Sequence, residues 1–361
     1  MTGEARMRRT TAARRQAWWL GVAALAWSTT GAAQGVAECV MEADNQLRLA
    51  CYDRLFRERK PAGPAARPVA AAPTEPAQPA DRPETLLVST AFTKAWELTP
   101  EAKRGTFVVR TYLPNFILPL HATSSINRTP TSPTRGVTTG RPDYKPLEAK
   151  MQVSLRAKVA EGLVLPDADL WFAFTQRSLW QVWNRQESSP FRSTDYQPEA
   201  IYVIPVPPRL GALPGGWQWR MAQLGIAHQS NGQGGSLSRS WNRVYASAAF
   251  DHGEFGLVLR GFRRLGEKTN DDNPDMSRHI GNTEVMASWL PGLATASLTW
   301  RTHPRALDRG SLQFDWTYPV SVKQPAGLRW YAQVFTGYGE TLLDYNHRQT
   351  SLGLGLTLFQ F

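Results

Sequence analysis

Between about Leu86 and Phe361, apolar residues recur at every second position in short runs separated by turn-formers and longer polar stretches. Strand side chains alternate between two faces, so this period predicts β-strands with one apolar face each. Twelve runs qualify: Thr106–Leu118, Ala149–Ala160, Ala168–Trp183, Ala200–Pro207, Trp217–His228, Trp241–Phe250, Glu254–Phe262, His279–Leu290, Ala294–Trp300, Ser311–Pro319, Leu328–Thr336 and Gln349–Phe361. From Ala222 the even positions read Ala222, Leu224, Ile226, His228 and Ser230, against Gln223, Gly225, Ala227 and Gln229. In the next run Asn242 shares parity with Val244, Ala246, Ala248 and Phe250. Three polar residues therefore end two apolar stripes.

Hydropathy narrows the architecture. Outside the N-terminus no run reaches the roughly 18 consecutive apolar residues of a spanning helix, and the mean hydropathy is −0.38. The chain nevertheless carries 14 Trp, 14 Phe and 10 Tyr, as barrels with aromatic girdles do. A backbone in lipid must satisfy its hydrogen bonds internally, which leaves helices or closed barrels. The prediction is an all-β, 12-stranded antiparallel transmembrane β-barrel over residues 86–361. In the last run Leu352, Leu354, Leu356 and Leu358 alternate with small or polar residues, while Phe359 and Phe361 fall on the other parity, so a bulge is expected near Leu358. The terminal aromatic Phe361 resembles the signal read by the outer-membrane assembly machinery.

The N-terminus is of a different kind. Five arginines between Arg6 and Arg15, an apolar stretch from Ala17 to Trp27 and the small residues Gly31-Ala32-Ala33 read as a signal peptide over residues 1–33. Its removal takes five Arg and one Glu, lowering the formal charge from +11 to +7. That mild excess suits an anionic lipid surface; no basic run interleaved with aromatics points to nucleic acid. Residues 34–60 read as a small helical module with Cys39 and Cys51. Straight helix would hold the two roughly 18 Å apart, beyond the ~7 Å reach of a disulfide, so a bond requires a turn near Asn45. A disulfide-closed helical hairpin and two free thiols on one amphipathic helix are the alternatives. The Pro- and Ala-rich stretch within 61–85 predicts an extended linker.

By itself a His-x-Ser in a strand is ordinary polar surface. Here, however, His228-Gln229-Ser230-Asn231-Gly232 is followed by Ser238-Arg239-Ser240-Trp241-Asn242-Arg243, and the region resembles the catalytic segment of the outer membrane phospholipase A family. Gln176, Glu187-Ser188-Ser189-Pro190-Phe191-Arg192, Asp271-Asp272-Asn273-Pro274-Asp275 and Tyr338 to Asn346 extend the resemblance in the same order; Gln229 and residues 233–237 depart from the better-known members. The resemblance implies a calcium-dependent phospholipase A of the bacterial outer membrane. Its reaction is removal of the first- or second-position acyl chain of a glycerophospholipid, and of the chain left on a lysophospholipid. Ser230 would be the nucleophile, His228 its base, Asn242 the residue orienting the imidazole, and the Gly232 N–H an oxyanion donor. Ca2+ would be held by the Ser238 hydroxyl, the Gln233 carbonyl and Ser188 of a second copy.

Gln176 shares parity with Leu170, Phe172, Phe174 and Trp180, which makes it an amide on a lipid-facing stripe. Such a group is costly unless paired, and a two-fold mate supplies the same amide, so a homodimer through this face is expected. The acidic Asp271 to Asp275 stretch reads as a solvated turn, and His252, His279 and His303 as loop or interface residues. The competing function is a passive pore or adhesin with coincidental triad-like residues.

Overall fold

A computed structural model describes residues 39, 41–42, 44, 46–51, 90–188, 191–266 and 271–358. The chain divides into two units, Met1–Glu84 and Thr85–Phe361. The proposed signal peptide and linker, Phe359 and Phe361 lie outside the described residues.

In the first unit Cys39 and Cys51 are joined in a disulfide, with their Cα atoms 5.6 Å apart. The chain turns at Met41 and bends at Asp44, and a helix then runs over residues 46–51. Asp44 starts it by accepting from the backbone N–H groups of Gln46 and Leu47 at 2.8 and 3.1 Å, as an N-cap does.

The second unit contains β1 (Val109–Thr111), β2 (Asn115–Thr123), β3 (Thr131–Ser132), β4 (Gly136–Val137), β5 (Leu147–Ala160), β6 (Asp169–Trp180), β7 (Phe191–Pro205) and β8 (Gln218–Ser230). It continues with β9 (Ser240–His252), β10 (Phe255–Leu265), β11 (Thr283–Trp289), β12 (Thr295–His303), β13 (Ala306–Pro319), β14 (Leu328–Gly337) and β15 (Gln349–Leu358). Consecutive long strands pair antiparallel, β15 returns to β2, and β5 pairs with both β2 and β6. Twelve long strands thus close on themselves, leaving no edge to aggregate. Strand β1 extends the line of β2 along β5, and β3–β4 form a separate small hairpin.

The barrel is polar inside and apolar outside. On β5 Glu148, Lys150, Gln152, Ser154, Arg156 and Lys158 are buried, while Leu147, Val153 and Leu155 are exposed. The outer wall continues through Phe172, Leu224, Ile226, Val244, Leu298, Phe314, Val334 and Leu352, all exposed. This inversion is stable only where the solvent outside is hydrocarbon.

Charge pairs fill the lumen. Glu340 accepts from Lys150 at 2.7 Å, Gln349 at 2.6 Å and Ser351 at 2.7 Å, and lies 2.9 Å from His121 Nε2. Arg192 bonds both Glu148, at 2.8 Å, and Asp344, at 3.1 Å. Toward the other end a short helix, Ala91–Trp96, places Trp96 under the Arg156 guanidinium, 3.8 Å from the ring centroid. Arg156 also donates to the Ala95 carbonyl at 2.6 Å.

The strand that begins at Ala200 in the alternation starts instead at Phe191, because Arg192, Ser193 and Asp195 are polar residues facing a polar lumen and carry no hydrophobic signal. A helix, Met276–Ile280, precedes β11 where strand was expected from His279. The irregularity of the last strand lies in its pairing with β2, between Leu354 and Leu356.

Candidate active site

Antiparallel pairing of β8 with β9 sets His228 directly opposite Asn242 and Ser230 opposite Ser240. All face outward, on the same parity as Leu224, Ile226 and Val244. The His228 Nδ1 lies 2.8 Å from the Asn242 Oδ1. With an amide oxygen as partner, Nδ1 carries the proton, which leaves Nε2 as an acceptor. Ser230, two residues along the same face, is half-buried; among the described residues no hydrogen bond joins it to the ring. Catalytic contacts of this kind commonly tighten only with substrate in place.

The inner face behind this pair is pinned. Gln229 accepts from Trp241 Nε1 at 2.9 Å and from Arg243 at 3.1 Å, and Arg243 donates onward to Gln197 at 2.7 Å. Gly225 leaves room for the Tyr245 ring, which a Cβ there would meet at 2.2 Å. The Tyr245 hydroxyl reaches Glu199 at 3.0 Å. Gln229, a departure from the better-known family members, therefore has a structural task here.

The turn from Asn231 to Arg239 is closed by two side chains whose roles sequence pattern did not reveal. Asn231 donates to the Leu237 carbonyl at 2.8 Å and accepts from the Arg239 N–H at 3.0 Å. Arg239, fully buried, binds the carbonyls of Ser236, Ser238 and Thr131 at 2.9, 2.8 and 2.9 Å. Gly232 sits at φ +63°, and a Cβ there would approach the Tyr196 ring to 3.4 Å. The positive φ favours glycine, whereas the Tyr196 approach is an ordinary contact. Its N–H has no partner among the described residues.

Ser238 donates its hydroxyl proton to Asp272 Oδ2 at 2.6 Å. Asp272 also pairs with Arg135, whose Nε lies 2.6 Å away. Burial pushes the Asp272 carboxyl up, but the Ser238 hydroxyl and Arg135 outweigh it and hold the group below the usual carboxylate range. The acidic stretch is therefore not a solvated turn: Asp272 and Asn273 are buried, because the loop packs back on the turn after β8. Gln233 is exposed, with its N–H held by Asn231 at 3.3 Å. Ser188 lies in the loop between β6 and β7, where its carbonyl accepts from Trp180 Nε1 at 2.6 Å.

His228, Asn242 and Ser230 thus share one surface, and Ser238 and Asp272 meet at the turn beyond it. Ser188 sits on another strand connection. Gln176 points outward, half-buried, and donates to Ser178 at 3.4 Å. It pairs with Tyr196 on β7, and Tyr196 pairs with Ser230 on β8, so the amide and the serine are two strand spacings apart, roughly 10 Å. Of the other histidines, His279 packs against Tyr338 and Tyr345, His252 against Trp217, and His303 Nδ1 accepts from Arg305 N–H at 3.2 Å.

The phospholipase A1 family profile matches residues 92–358. A relative from Neisseria meningitidis is 36% identical over 349 residues, covering 88% of this chain and 89% of its own. The phospholipase A1 of Salmonella typhimurium is 34% identical over 215 residues, 58% of this chain and 69% of that one. The crystal structure of the Salmonella typhi outer membrane phospholipase dimer with bound calcium superimposes with a TM-score of 0.62 at 27% identity, over 75% of this chain and 98% of that one. A closed barrel of the same kind, an outward-facing His–Asn pair and a match spanning the whole barrel lead to one conclusion: the chain belongs to the outer membrane phospholipase A family, a family of phospholipid ester hydrolases.

Proposed function

We propose that this protein is a calcium-dependent serine hydrolase that cleaves the first- and second-position acyl esters of glycerophospholipids, and those of lysophospholipids, and acts as a dimer in the bacterial outer membrane. The observation that carries the reading is the 2.8 Å contact between His228 and Asn242 on the lipid-facing wall, two residues along β8 from Ser230. A nucleophile on that wall meets lipid esters without extracting them from the bilayer.

Ser230 attacks the ester carbonyl as its proton passes to His228 Nε2. Asn242 accepts from Nδ1–H throughout, which keeps the ring in the tautomer that can take that proton. The same His228 then protonates the departing lysophospholipid oxygen, and a water attacks the acyl-enzyme in the second half. The Gly232 N–H, without a partner among the described residues at the exposed turn, would donate to the developing oxyanion. Because an amide stabilises an imidazolium less than a carboxylate does, further positive charge is useful here. Asn242→Ala is expected to lower turnover about 100-fold or more, since the tautomer is no longer set; a loss under twofold would remove Asn242 from the triad.

The donor set suits a hard cation. Ser238 gives its proton to Asp272, leaving its lone pairs for a metal, and the Gln233 carbonyl lies in the same turn. The described residues contain no group of three or more His, Cys, Asp or Glu arranged to hold a metal, so such a cation would rely on hydroxyl and carbonyl oxygens, which calcium accepts. When bound, calcium supplies the positive charge beside the oxyanion. Ser188 of a second copy would complete the set. The proximity of Gln176 to Ser230 supports this, because a copy docked on the Gln176 face lies against the nucleophile. The N-terminal disulfide module would sit in the periplasm, and Phe361 would serve the assembly machinery.

The test measures fatty-acid release from detergent-dispersed phospholipid by refolded protein, with calcium or a chelator, alongside chemical cross-linking. Release that requires calcium, with Ser238→Ala needing roughly 10- to 100-fold more of it, and dimers that weaken in Gln176→Ala are expected. Full activity in chelator, from monomers, would sink both the metal and the dimer.

A further inference from the structure

The β3–β4 hairpin lies in the long connection from β2 to β5 and takes no part in the barrel wall. It is nevertheless tied to the loops around the candidate site. The Thr134 hydroxyl shares its proton between the Asp271 and Asp272 carbonyls, at 2.7 and 2.8 Å, and Ser132 donates to the Asp272 carbonyl as well. Thr138, just past the hairpin, donates to the Ser236 carbonyl at 3.1 Å, and Asn346 donates to the Thr131 carbonyl at 3.2 Å. Gly136, at φ +74°, closes the hairpin turn. The turn carries Arg135 onto Asp272.

Arg135 and Ser238 divide one carboxylate between them. The Arg135 Nε donates to Oδ1 at 2.6 Å, and the Ser238 hydroxyl donates to Oδ2 at 2.6 Å. The Asp272 side chain is only 8% exposed, that of Arg135 43%. An enclosed carboxylate of this kind needs a counter-charge. The neighbouring arginines are engaged elsewhere, Arg239 on three carbonyls and Arg264 on Asp271. Arg135 therefore supplies one positive charge from within the chain, through the carboxylate oxygen that Ser238 leaves free. A divalent cation held by the Ser238 hydroxyl meets that charge across a single carboxylate. Guanidinium and metal repel each other while both are drawn to Asp272.

We propose that Arg135 is a built-in counter-ion that sets the calcium threshold of the site: it holds the Asp272 loop in place of the metal and weakens calcium binding at Ser238. The inference rests on the calcium reading above and extends it to a residue outside the barrel wall.

The experiment reads binding rather than turnover. Refolded protein is titrated with Ca2+ by calorimetry in a non-ionic detergent at low ionic strength, without substrate. Arg135→Gln is expected to bind Ca2+ about five- to tenfold more tightly, the scale on which one charge close to a partly exposed divalent site acts. Arg135→Lys keeps the charge and should stay near the parent. The Ser132, Thr134 and Thr138 contacts remain in both variants to hold the hairpin. In chelator, proteinase K should nick the connection between β10 and β11 faster in Arg135→Gln than in the parent, and saturating Ca2+ should remove that difference. Equal or weaker Ca2+ binding by Arg135→Gln, with binding by the parent intact, would overturn this inference alone. Absence of binding to both proteins would overturn it together with the calcium reading.

Discussion

Replacing Ser230 with alanine is expected to lower phospholipid hydrolysis by roughly 10⁴- to 10⁶-fold, the scale on which losing a triad nucleophile acts. The barrel should be untouched. Ser230 stands half-buried on the outer wall, and the contacts that hold β8 against β9 run through Gln229, Trp241 and Arg243 on the opposite face. Far-ultraviolet circular dichroism and heat-modifiable gel mobility report folding, while fatty-acid release reports chemistry. A folded Ser230→Ala barrel with activity near that of the parent would end the hydrolytic reading of this serine. Covalent labelling by a sulfonyl fluoride, present in the parent and lost in the variant, gives an independent readout.

The second large effect concerns the lumen. Glu340→Ala is expected to destabilise the barrel by about 3–5 kcal/mol, because breaking a buried pair leaves an uncompensated charge. Lys150 and Glu340 have side chains only 1% exposed, so water cannot take over the ammonium. His121, Gln349 and Ser351 would lose the same acceptor. Denaturant unfolding in detergent measures the loss, and the double variant Lys150→Met, Glu340→Gln should recover part of it by removing the orphaned charge. Equal unfolding midpoints for Glu340→Ala and the parent would show that the network adds no stability. These packed charges also bear on the passive alternative: a lumen crowded with Glu340, Arg192 and Asp344 is a poor pore.

The site illustrates which features a linear pattern can carry. Parity alone placed His228, Ser230 and Asn242 on the wall with Ile226 and Val244, and the outward direction follows from that same alternation. Pairing His228 with Asn242 required the length of the intervening turn, which the family resemblance supplied. The roles of Asn231, Arg239 and Asp272 are not legible in the sequence, since a buried arginine binding three carbonyls looks like any arginine until the loops it joins are in place. Asp272 departs from the solvated turn its neighbours suggest for the same reason: acidic residues in a row resemble such a turn until a serine and an arginine close over them.

Period-two alternation, aromatic content and the absence of long apolar runs outside the N-terminus were enough to determine a closed 12-stranded barrel, because the choice between lipid face and lumen is made residue by residue. The tertiary structure alone decided which lumen charges meet, as Lys150 with Glu340 and Arg192 with Glu148 and Asp344 do. Those partners lie far apart in the chain and come together only when register and closure bring different strands to the same height. The physical reason is locality: a side chain's face depends on its own position in a strand, whereas its partner across the lumen depends on every pairing between them.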